Sequence, residues 1–211
     1  MNDDKKKFLY KLIMEHNKKV NVTTIVDYEN FLIKHIKDSE LGEKYIEGNN
    51  ILDIGSGAGF PGIIIASNDS NKKVTMIDSV NKKVAVINDL INKLEISNAK
   101  AIHTRIEDFK EKQQFDTVTA RAVAPLNILA EYALPFVKVG GLFIAYKSSG
   151  SDDEIEAAKN AIKILGGKIE KIADEKLSDE ITRKFIFIRK LKSCDNKYPR
   201  GKNLPRISPL V

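Results

Sequence analysis

The sequence is poor in the features that build cross-linked, metal-binding or membrane proteins. Its 211 residues include one cysteine, Cys194, and no tryptophan. A single cysteine excludes an internal disulfide and a site built on cysteine pairs, so we expect a reducing, cytoplasmic setting and no metal. No apolar run approaches the roughly 20 residues of a membrane-spanning helix, and the first residues lack the apolar stretch of a signal peptide. We therefore expect no membrane association.

The charge is only moderately basic, but it is unevenly placed. Lys and Arg number 35 against 29 acidic residues, which gives a formal net charge of +6. The last twenty residues hold five of these cations and one acid. Two interpretations of this proline-containing tail stay open: an electrostatic foothold for a polyanion, and a solvated, partly disordered terminus.

One stretch organises the rest of the chain. It reads ILDIGSGAGFPGIIIA from Ile51 to Ala66. This pattern predicts a short apolar strand that ends in an acid, a turn with glycine at every second position, and an apolar helix with proline in its first turn. Such a turn brings backbone close to a ligand, because glycine allows positive φ and has no Cβ. We also expect free amides at the helix start to receive an anionic group.

The spacing of the glycines in this turn narrows the choice of ligand. Gly55, Gly57 and Gly59 follow G-x-G-x-G, whereas the dinucleotide fingerprint is G-x-G-x-x-G and a P-loop needs Gly-Lys-Ser/Thr. Asp53, just before the turn, would repel a pyrophosphate but suits the ammonium and sulfonium of S-adenosylmethionine (SAM). The pattern favours a SAM site, with a nucleotide site and a plain strand-helix turn as alternatives.

Alternating strand and helix patterns predict an α/β fold in one structural unit. We expect an N-terminal helical extension at residues 1–48, a main domain at 49–192 and a basic tail at 193–211. Two helices are predicted in the extension, the second capped by Asp27. The predicted strands lie near residues 51–54, 74–78, 99–103, 115–120, 142–147, 168–173 and 184–191, and the last two form a pair. The run Phe185 to Ile188 is apolar throughout, as in a strand covered on both faces.

Polar residues at the predicted strand ends are candidates for ligand contacts. Asp78 ends the second strand, 25 residues after Asp53, close to the distance at which a βαβ unit places a carboxylate on a ribose. In the loop after the third strand, Glu107 or Asp108 either meets the adenine amino group or caps the turn. Arg121, after the fourth strand, either binds substrate phosphate or holds its loop in shape.

The chain resembles the RsmG (GidB) family of bacterial methyltransferases. The core Gly-Ser-Gly-Ala-Gly-Phe-Pro-Gly is similar to that family's signature. Further matching segments are Asn17–Ile25, His35–Ser39, Arg105–Glu107, Ala120–Ala122, Tyr146–Lys147 and Tyr198–Arg200. Three places depart from the family pattern: His16 replaces an aromatic residue, Ser148 replaces a glycine, and the sequence at residues 201–204 differs.

The resemblance implies a Rossmann-like class I SAM-dependent methyltransferase with a seven-stranded, mostly parallel sheet and helices on both faces. It implies methylation of N7 of one guanine in the decoding-region loop of 16S small-subunit ribosomal RNA. The expected cofactor-binding residues are Asp53, Gly55, Ser56, Gly57, Gly59, Phe60, Asp78, Ile106, Glu107 and Arg121. Arg121 and Lys147 are expected to align the reactants, and Lys147, Arg200 and Arg206 to bind RNA.

Guanine N7 carries an unprotonated lone pair at neutral pH, so the expected reaction needs alignment and no general base. We expect a monomer that acts on 16S ribosomal RNA or on the small ribosomal subunit. Two alternatives remain. One is a SAM-dependent methyltransferase of another RNA, a protein or a small molecule, and the other is a nucleotide-binding module without catalysis, against which the acids at two strand ends argue.

Overall fold

The N-terminal extension folds into helices that lead up to the first strand. A computed structural model describes residues 1–210, so Val211, the last residue of the predicted tail, lies outside the described residues. Asp27 caps the second helix as predicted, since its carboxylate accepts a hydrogen bond from the Asn30 amide at 2.8 Å. The elements are α1 (Asp3–Asn17), α2 (Tyr28–Phe31), a π-helical turn (Leu32–Lys37) and α3 (Asp38–Glu43). The helix predicted after Asp27 therefore comprises α2 and the π-helical turn, and α3 is an additional helix.

Seven strands form a single sheet, which confirms the predicted α/β class. They are β1 (Asn50–Ile54), β2 (Lys73–Asp78), β3 (Ala99–His103), β4 (Phe115–Arg121), β5 (Val137–Ser148), β6 (Gly167–Lys176) and β7 (Thr182–Lys190). Their order is β3-β2-β1-β4-β5-β7-β6. Strand β7 runs antiparallel to both of its neighbours, and the other neighbouring pairs are parallel. It contains the apolar run predicted to lie inside the sheet.

Helices connect the parallel strands, as crossover connections require. They are α4 (Gly62–Asn68), α5 (Asn81–Lys93), α6 (Leu126–Ala133) and α7 (Asp152–Ile164), with a 3-10 turn at Ile106–Asp108. Two large apolar clusters result: one joins the sheet to α6 and α7, and the other joins it to α1, α4 and α5. The strand order reverses between β1 and β4, so the loops after these two strands diverge and leave a crevice at their carboxyl ends.

The extension and the tail both pack on the main domain. His16 of α1 and Asp89 of α5 lie 2.7 Å apart, Nε2 to Oδ2. The tail carries a short helix, α8 (Leu204–Ile207), and buries Tyr198 and Pro205. No helix in residues 1–210 combines the length and the apolar character needed to cross a membrane.

Candidate cofactor and substrate cleft

A cleft of about 630 Å³ lies at the carboxyl ends of the central strands. It is the crevice expected from the reversal in strand order, and six parts of the chain that are far apart in sequence meet there. Its walls include residues 54–58, 77–80, 104–107 and 121–123, together with Val22, His35, Phe60, Lys83, Tyr132, Asn203 and Arg206. Both the N-terminal extension and the C-terminal tail therefore contribute to the same cleft.

The three glycines of the turn all have positive φ, but their surroundings differ. A Cβ on Gly55 would lie 2.6 Å from Val123 Cγ2, so the contact with the β4 loop forbids a side chain. A Cβ on Gly57 would have no protein atom closer than 3.9 Å, which shows that the space beside it belongs to the cleft. Gly59 does not line the cleft, because the side chain of Ile63 covers it.

The amides at the start of α4 already have partners. Gly62 N donates to Asp53 Oδ2 at 3.1 Å, Ile63 N to Gly59 O at 2.7 Å, and Phe60 N to Ser56 O at 3.1 Å. The prediction that this helix start offers free amides to an anionic group is therefore wrong. The turn folds back on itself and satisfies these donors internally.

Asp53 lies behind the glycine turn and not in the cleft wall. Its side chain is fully buried, and Oδ1 accepts a hydrogen bond from the Thr119 hydroxyl at 3.0 Å while Oδ2 accepts from the Gly62 amide. Burial raises the pKa of Asp53 to about 6, although these hydrogen bonds oppose the rise. The geometry corrects the expectation that Asp53 faces a ligand: it joins β1, β4 and the start of α4.

Asp78 and the 3-10 turn form the opposite wall of the cleft. Asp78 Oδ2 accepts a hydrogen bond from the Gly57 amide at 3.0 Å, and Oδ1 accepts from the Val80 amide at 2.9 Å. Ile106 and Glu107 also line the cleft, and Arg105 Nη2 donates to Glu107 Oε1 at 3.0 Å. A carboxylate has about four lone-pair sites, so Asp78 keeps acceptor capacity for hydroxyl groups of a ligand.

Arg121 lines the cleft and also donates hydrogen bonds to the N-terminal extension. Its Nη1 donates to Lys34 O at 3.0 Å and to Asp38 Oδ2 at 2.8 Å, and its Nη2 donates to His35 Nδ1 at 3.1 Å. The His35 ring stacks on Phe60 with ring centroids 4.6 Å apart. Burial, helped by the Arg121 charge, lowers the pKa of His35 to about 3, so this ring is neutral near pH 7.

Comparison with known proteins agrees with this architecture. The model of the family described as "GidB: rRNA small subunit methyltransferase G" matches residues 2–193. The chain belongs to this family. The resemblance stated from the sequence is thereby confirmed.

Relatives of the family match over almost the whole chain. The ribosomal RNA small subunit methyltransferase G of Thermoanaerobacter sp. (strain X514) is 43% identical over 209 residues, which cover 95% of this chain and 87% of the relative. That of Clostridium beijerinckii is 41% identical over 208 residues, with the same coverage of 95% and 87%.

Solved structures share the fold at low identity. P. horikoshii TYW2 in complex with MeSAdo has a TM-score of 0.63 and 18% identity over 75% of this chain and 63% of that chain. M. jannaschii TYW2 in complex with AdoMet has a TM-score of 0.62 and 16% identity over 74% and 76%. These likenesses show the fold alone.

The cations expected to contact RNA in this family member have different surroundings. Lys147 does not line the cleft; its Nζ donates to Ala124 O at 2.7 Å and pairs with Glu154 at 2.6 Å. Arg200 is held by the buried carboxylate of Glu131 on α6, which corrects its expected role as a free RNA contact. Arg206 is exposed and lines the cleft.

The cleft therefore collects most, but not all, of the predicted residues. It brings together Gly55, Ser56, Gly57, Phe60, Asp78, Ile106, Glu107, Arg121 and Arg206, and it leaves out Asp53, Gly59, Lys147 and Arg200. Sequence reasoning missed His35, Asp38 and Arg183. The first two lie in a segment that the family resemblance had marked without a role, and Arg183 had no signal. Within residues 1–210, no three His, Cys, Asp or Glu side chains are grouped so that they could hold a metal ion.

Proposed function

We propose that this chain transfers a methyl group from SAM to N7 of a guanine in the decoding-region loop of 16S small-subunit ribosomal RNA. The observation that carries the proposal is the cleft of this family member. It brings together the open glycine turn at Gly57, the carboxylate of Asp78, which can accept from ribose hydroxyls, and Arg121, which has N–H donors left for a substrate. We further propose that the chain acts as a monomer in the cytoplasm, on 16S RNA or on the small subunit.

The residues present fit SAM. The open space beside Gly57 would receive the methionine part, with Gly55, Ser56 and Phe60 around it. Asp78 would accept hydrogen bonds from the ribose hydroxyls, and the 3-10 turn would face the adenine, with Ile106 against the ring and Glu107 toward the amino group. When bound, SAM supplies a methyl group activated by its positively charged sulfur.

Arg121 stands where the reactants would meet. Three of its five N–H donors are used by residues 34–38, so two remain for a molecule in the cleft. We propose that they donate to the guanine O6 and leave N7 free to attack. Lys147 would act indirectly, by holding the carbonyl of Ala124 in the loop that follows Arg121.

The exposed tail cation Arg206 would contact a phosphate of the RNA. The target base must leave its stack to reach the cleft. No group in this arrangement is required as a general base, since N7 carries no proton at neutral pH.

The test is to map modified guanines by mass spectrometry in small-subunit RNA from cells with and without the gene. The expected result is one guanine-N7 methyl group that is lost with the gene and restored by the purified chain and SAM. The variant Asp78→Ala should bind SAM at least about tenfold more weakly in calorimetry, since it loses hydrogen bonds to the ligand. Label from SAM that enters protein or small molecules, and not RNA, would refute the RNA substrate.

A further inference from the structure

The buried carboxylate of Asp38, in the N-terminal extension, pairs with two arginines, Arg121 and Arg183. Asp38 has no exposed surface. Its Oδ1 accepts a hydrogen bond from Arg183 Nε at 2.7 Å, and its Oδ2 accepts from Arg183 Nη2 at 3.0 Å and from Arg121 Nη1 at 2.8 Å. Arg183 thus makes a two-pronged contact, the strongest type of arginine-carboxylate pair. Asp38 belongs to α3, Arg121 ends β4 and Arg183 lies in β7.

We propose that Asp38, supported by Arg183, is a positioning residue for methyl transfer: it holds the Arg121 guanidinium so that its remaining donors face the guanine. This inference rests on the proposed function. It makes the N-terminal extension a working part of the site, whereas the sequence suggested only a helical cover.

The extension supplies the three hydrogen-bond acceptors that orient Arg121. The acceptors for its three engaged N–H groups are Lys34 O, His35 Nδ1 and Asp38 Oδ2, all within five consecutive residues. A planar guanidinium with three fixed donors has no freedom to rotate, so its Nε–H and second Nη2–H point in fixed directions. Displacement of a positioning group by about 1 Å can lower a rate 10²-fold.

Asp38 also adjusts the charge beside the reacting base. N7 methylation puts positive charge on guanine, which an uncompensated Arg121 would oppose. A carboxylate 2.8 Å from Arg121 Nη1 offsets this charge, and the neutral His35 ring adds none. The loss of Asp38 would leave two guanidinium groups without their common counter-ion.

Arg183 extends the arrangement to the neighbouring strand. Its Nη1 donates to Lys147 O at 3.1 Å, at the carboxyl end of β5. Lys147 in turn donates to Ala124 O in the loop after β4. Asp38 is therefore linked to both ends of the segment that carries Arg121, directly on one side and through Arg183 and Lys147 on the other.

The experiment is a double-mutant cycle on the full chain with SAM and small-subunit RNA. Asp38→Asn keeps the size of the side chain, and Arg121→Gln removes the positioned group. We expect each single variant to lower kcat at least about tenfold while the Kd for SAM changes less than about threefold. The double variant should be no more than about threefold worse than the worse single variant, because both changes remove one function.

Asp116→Asn is the matched control. Asp116 Oδ2 accepts hydrogen bonds from the amides of Asn49 and Asn50 at 2.8 Å each, at the amino ends of the strands, and the carboxylate pairs with Lys138. This variant should lower the melting temperature but keep kcat within about twofold of the unmodified chain. If the kcat losses of Asp38→Asn and Arg121→Gln multiply, or if kcat merely follows the melting temperature across all variants, the inference is wrong.

A second measurement needs no methyl transfer. An arginine-selective dicarbonyl reagent, followed by peptide mass spectrometry, should modify Arg121 faster in Asp38→Asn than in the unmodified chain, and unchanged reactivity would overturn the inference. If Asp38→Asn does not fold, Arg183→Lys keeps the charge and removes the two-pronged contact, and the same readouts apply. Failure of the unmodified chain to methylate small-subunit RNA would refute the proposed function, whereas the reactivity of Arg121 tests its positioning separately.

Discussion

The side chain of Val123 fills the space that a side chain on Gly55 would need, since a Cβ on Gly55 would lie 2.6 Å from Val123 Cγ2. Gly55 follows β1 and Val123 follows β4, so the contact joins the two loops on either side of the crevice. Arg206 Nη2 of the tail donates to the Val123 carbonyl at 2.9 Å. The glycine turn, the β4 loop and the tail are therefore coupled through one residue.

The first prediction concerns this contact. Gly55→Ala should destabilise the protein by about 1–3 kcal/mol and weaken SAM binding, because the φ of +66° is strained for alanine and the new methyl group meets Val123. Val123→Ala in the same chain should recover part of the loss by removing the steric conflict. Urea unfolding and calorimetry with SAM measure the two effects.

Gly57→Ala is the control for Gly55→Ala. Gly57 also has positive φ, at +58°, but no protein atom lies within 3.9 Å of its hypothetical Cβ. Val123→Ala should therefore give no rescue of Gly57→Ala. Equal rescue at both glycines would show that the contact between Gly55 and Val123 has no energetic consequence.

Two buried groups should give opposite dependences of stability on pH. The pKa of Asp53 is raised from 3.8 to about 6, so the folded chain holds this proton more tightly and the free energy of unfolding falls as pH rises from about 4 to 6. The pKa of His35 is lowered from 6.5 to about 3, so the unfolded chain takes up the proton first and the free energy of unfolding rises between about pH 3 and 6.5.

Compared with the unmodified chain, Asp53→Asn should therefore make the slope of the free energy of unfolding against pH more positive between about pH 4 and 6, and His35→Gln should make this slope more negative. Asparagine keeps an acceptor for the Gly62 amide, so the hydrogen bond to the first residue of α4 is retained. Urea unfolding at several pH values measures both slopes. Parallel curves for the unmodified chain and Asp53→Asn would mean that Asp53 has an ordinary pKa in the folded state.

Local patterns predicted the fold because each strand and helix carries its own signal. The apolar run Phe185 to Ile188 indicated an inner strand, and β7 indeed lies between two neighbours. Likewise, the glycine turn marked the edge of the sheet at which the cleft forms. These features depend on the burial of nearby residues, which sequence periodicity records directly.

Contacts between distant residues had no such signal. Asp38 meets Arg121 across 83 positions and Arg183 across 145 positions. The prediction for Asp53 was wrong for a related reason. An acid before a glycine turn suggests a ligand contact, but the chain after the turn folds back and the Gly62 amide donates to the Asp53 carboxylate. The order of residues cannot say which of several partners a charged side chain will meet, because that depends on how the layers pack.

A further prediction concerns Tyr146 in β5. Its hydroxyl is buried and has no hydrogen-bond partner in residues 1–210, and burial raises its pKa well above the usual range. Tyr146→Phe should therefore increase the free energy of unfolding by about 1 kcal/mol, because an unsatisfied buried hydroxyl is costly. A Cβ on Gly42 would collide with this hydroxyl, so Gly42→Ala should be less damaging in the Tyr146→Phe chain. A loss of stability in Tyr146→Phe would indicate an unseen partner, such as a bound water.

The two tail arginines should separate stability from RNA binding. Arg200→Ala should lower the free energy of unfolding by about 3–5 kcal/mol, since it removes both guanidinium hydrogen bonds from the carboxylate of Glu131, which is 1% exposed, and leaves it only the backbone amide of residue 200. Arg206→Ala removes one hydrogen bond at an exposed position and should change stability by less than about 0.5 kcal/mol.

If Arg206 contacts a phosphate as proposed, Arg206→Ala should weaken RNA binding at low salt and reduce the slope of log K against log salt by about 1. Fluorescence anisotropy with a labelled decoding-region RNA over a salt series measures this slope. Arg200→Ala, studied below its melting temperature, should keep the slope of the unmodified chain because its guanidinium faces Glu131. If only Arg200→Ala changed the slope, the RNA would contact the tail near Arg200. The role of Arg206 would then be limited to its hydrogen bond with the Val123 carbonyl.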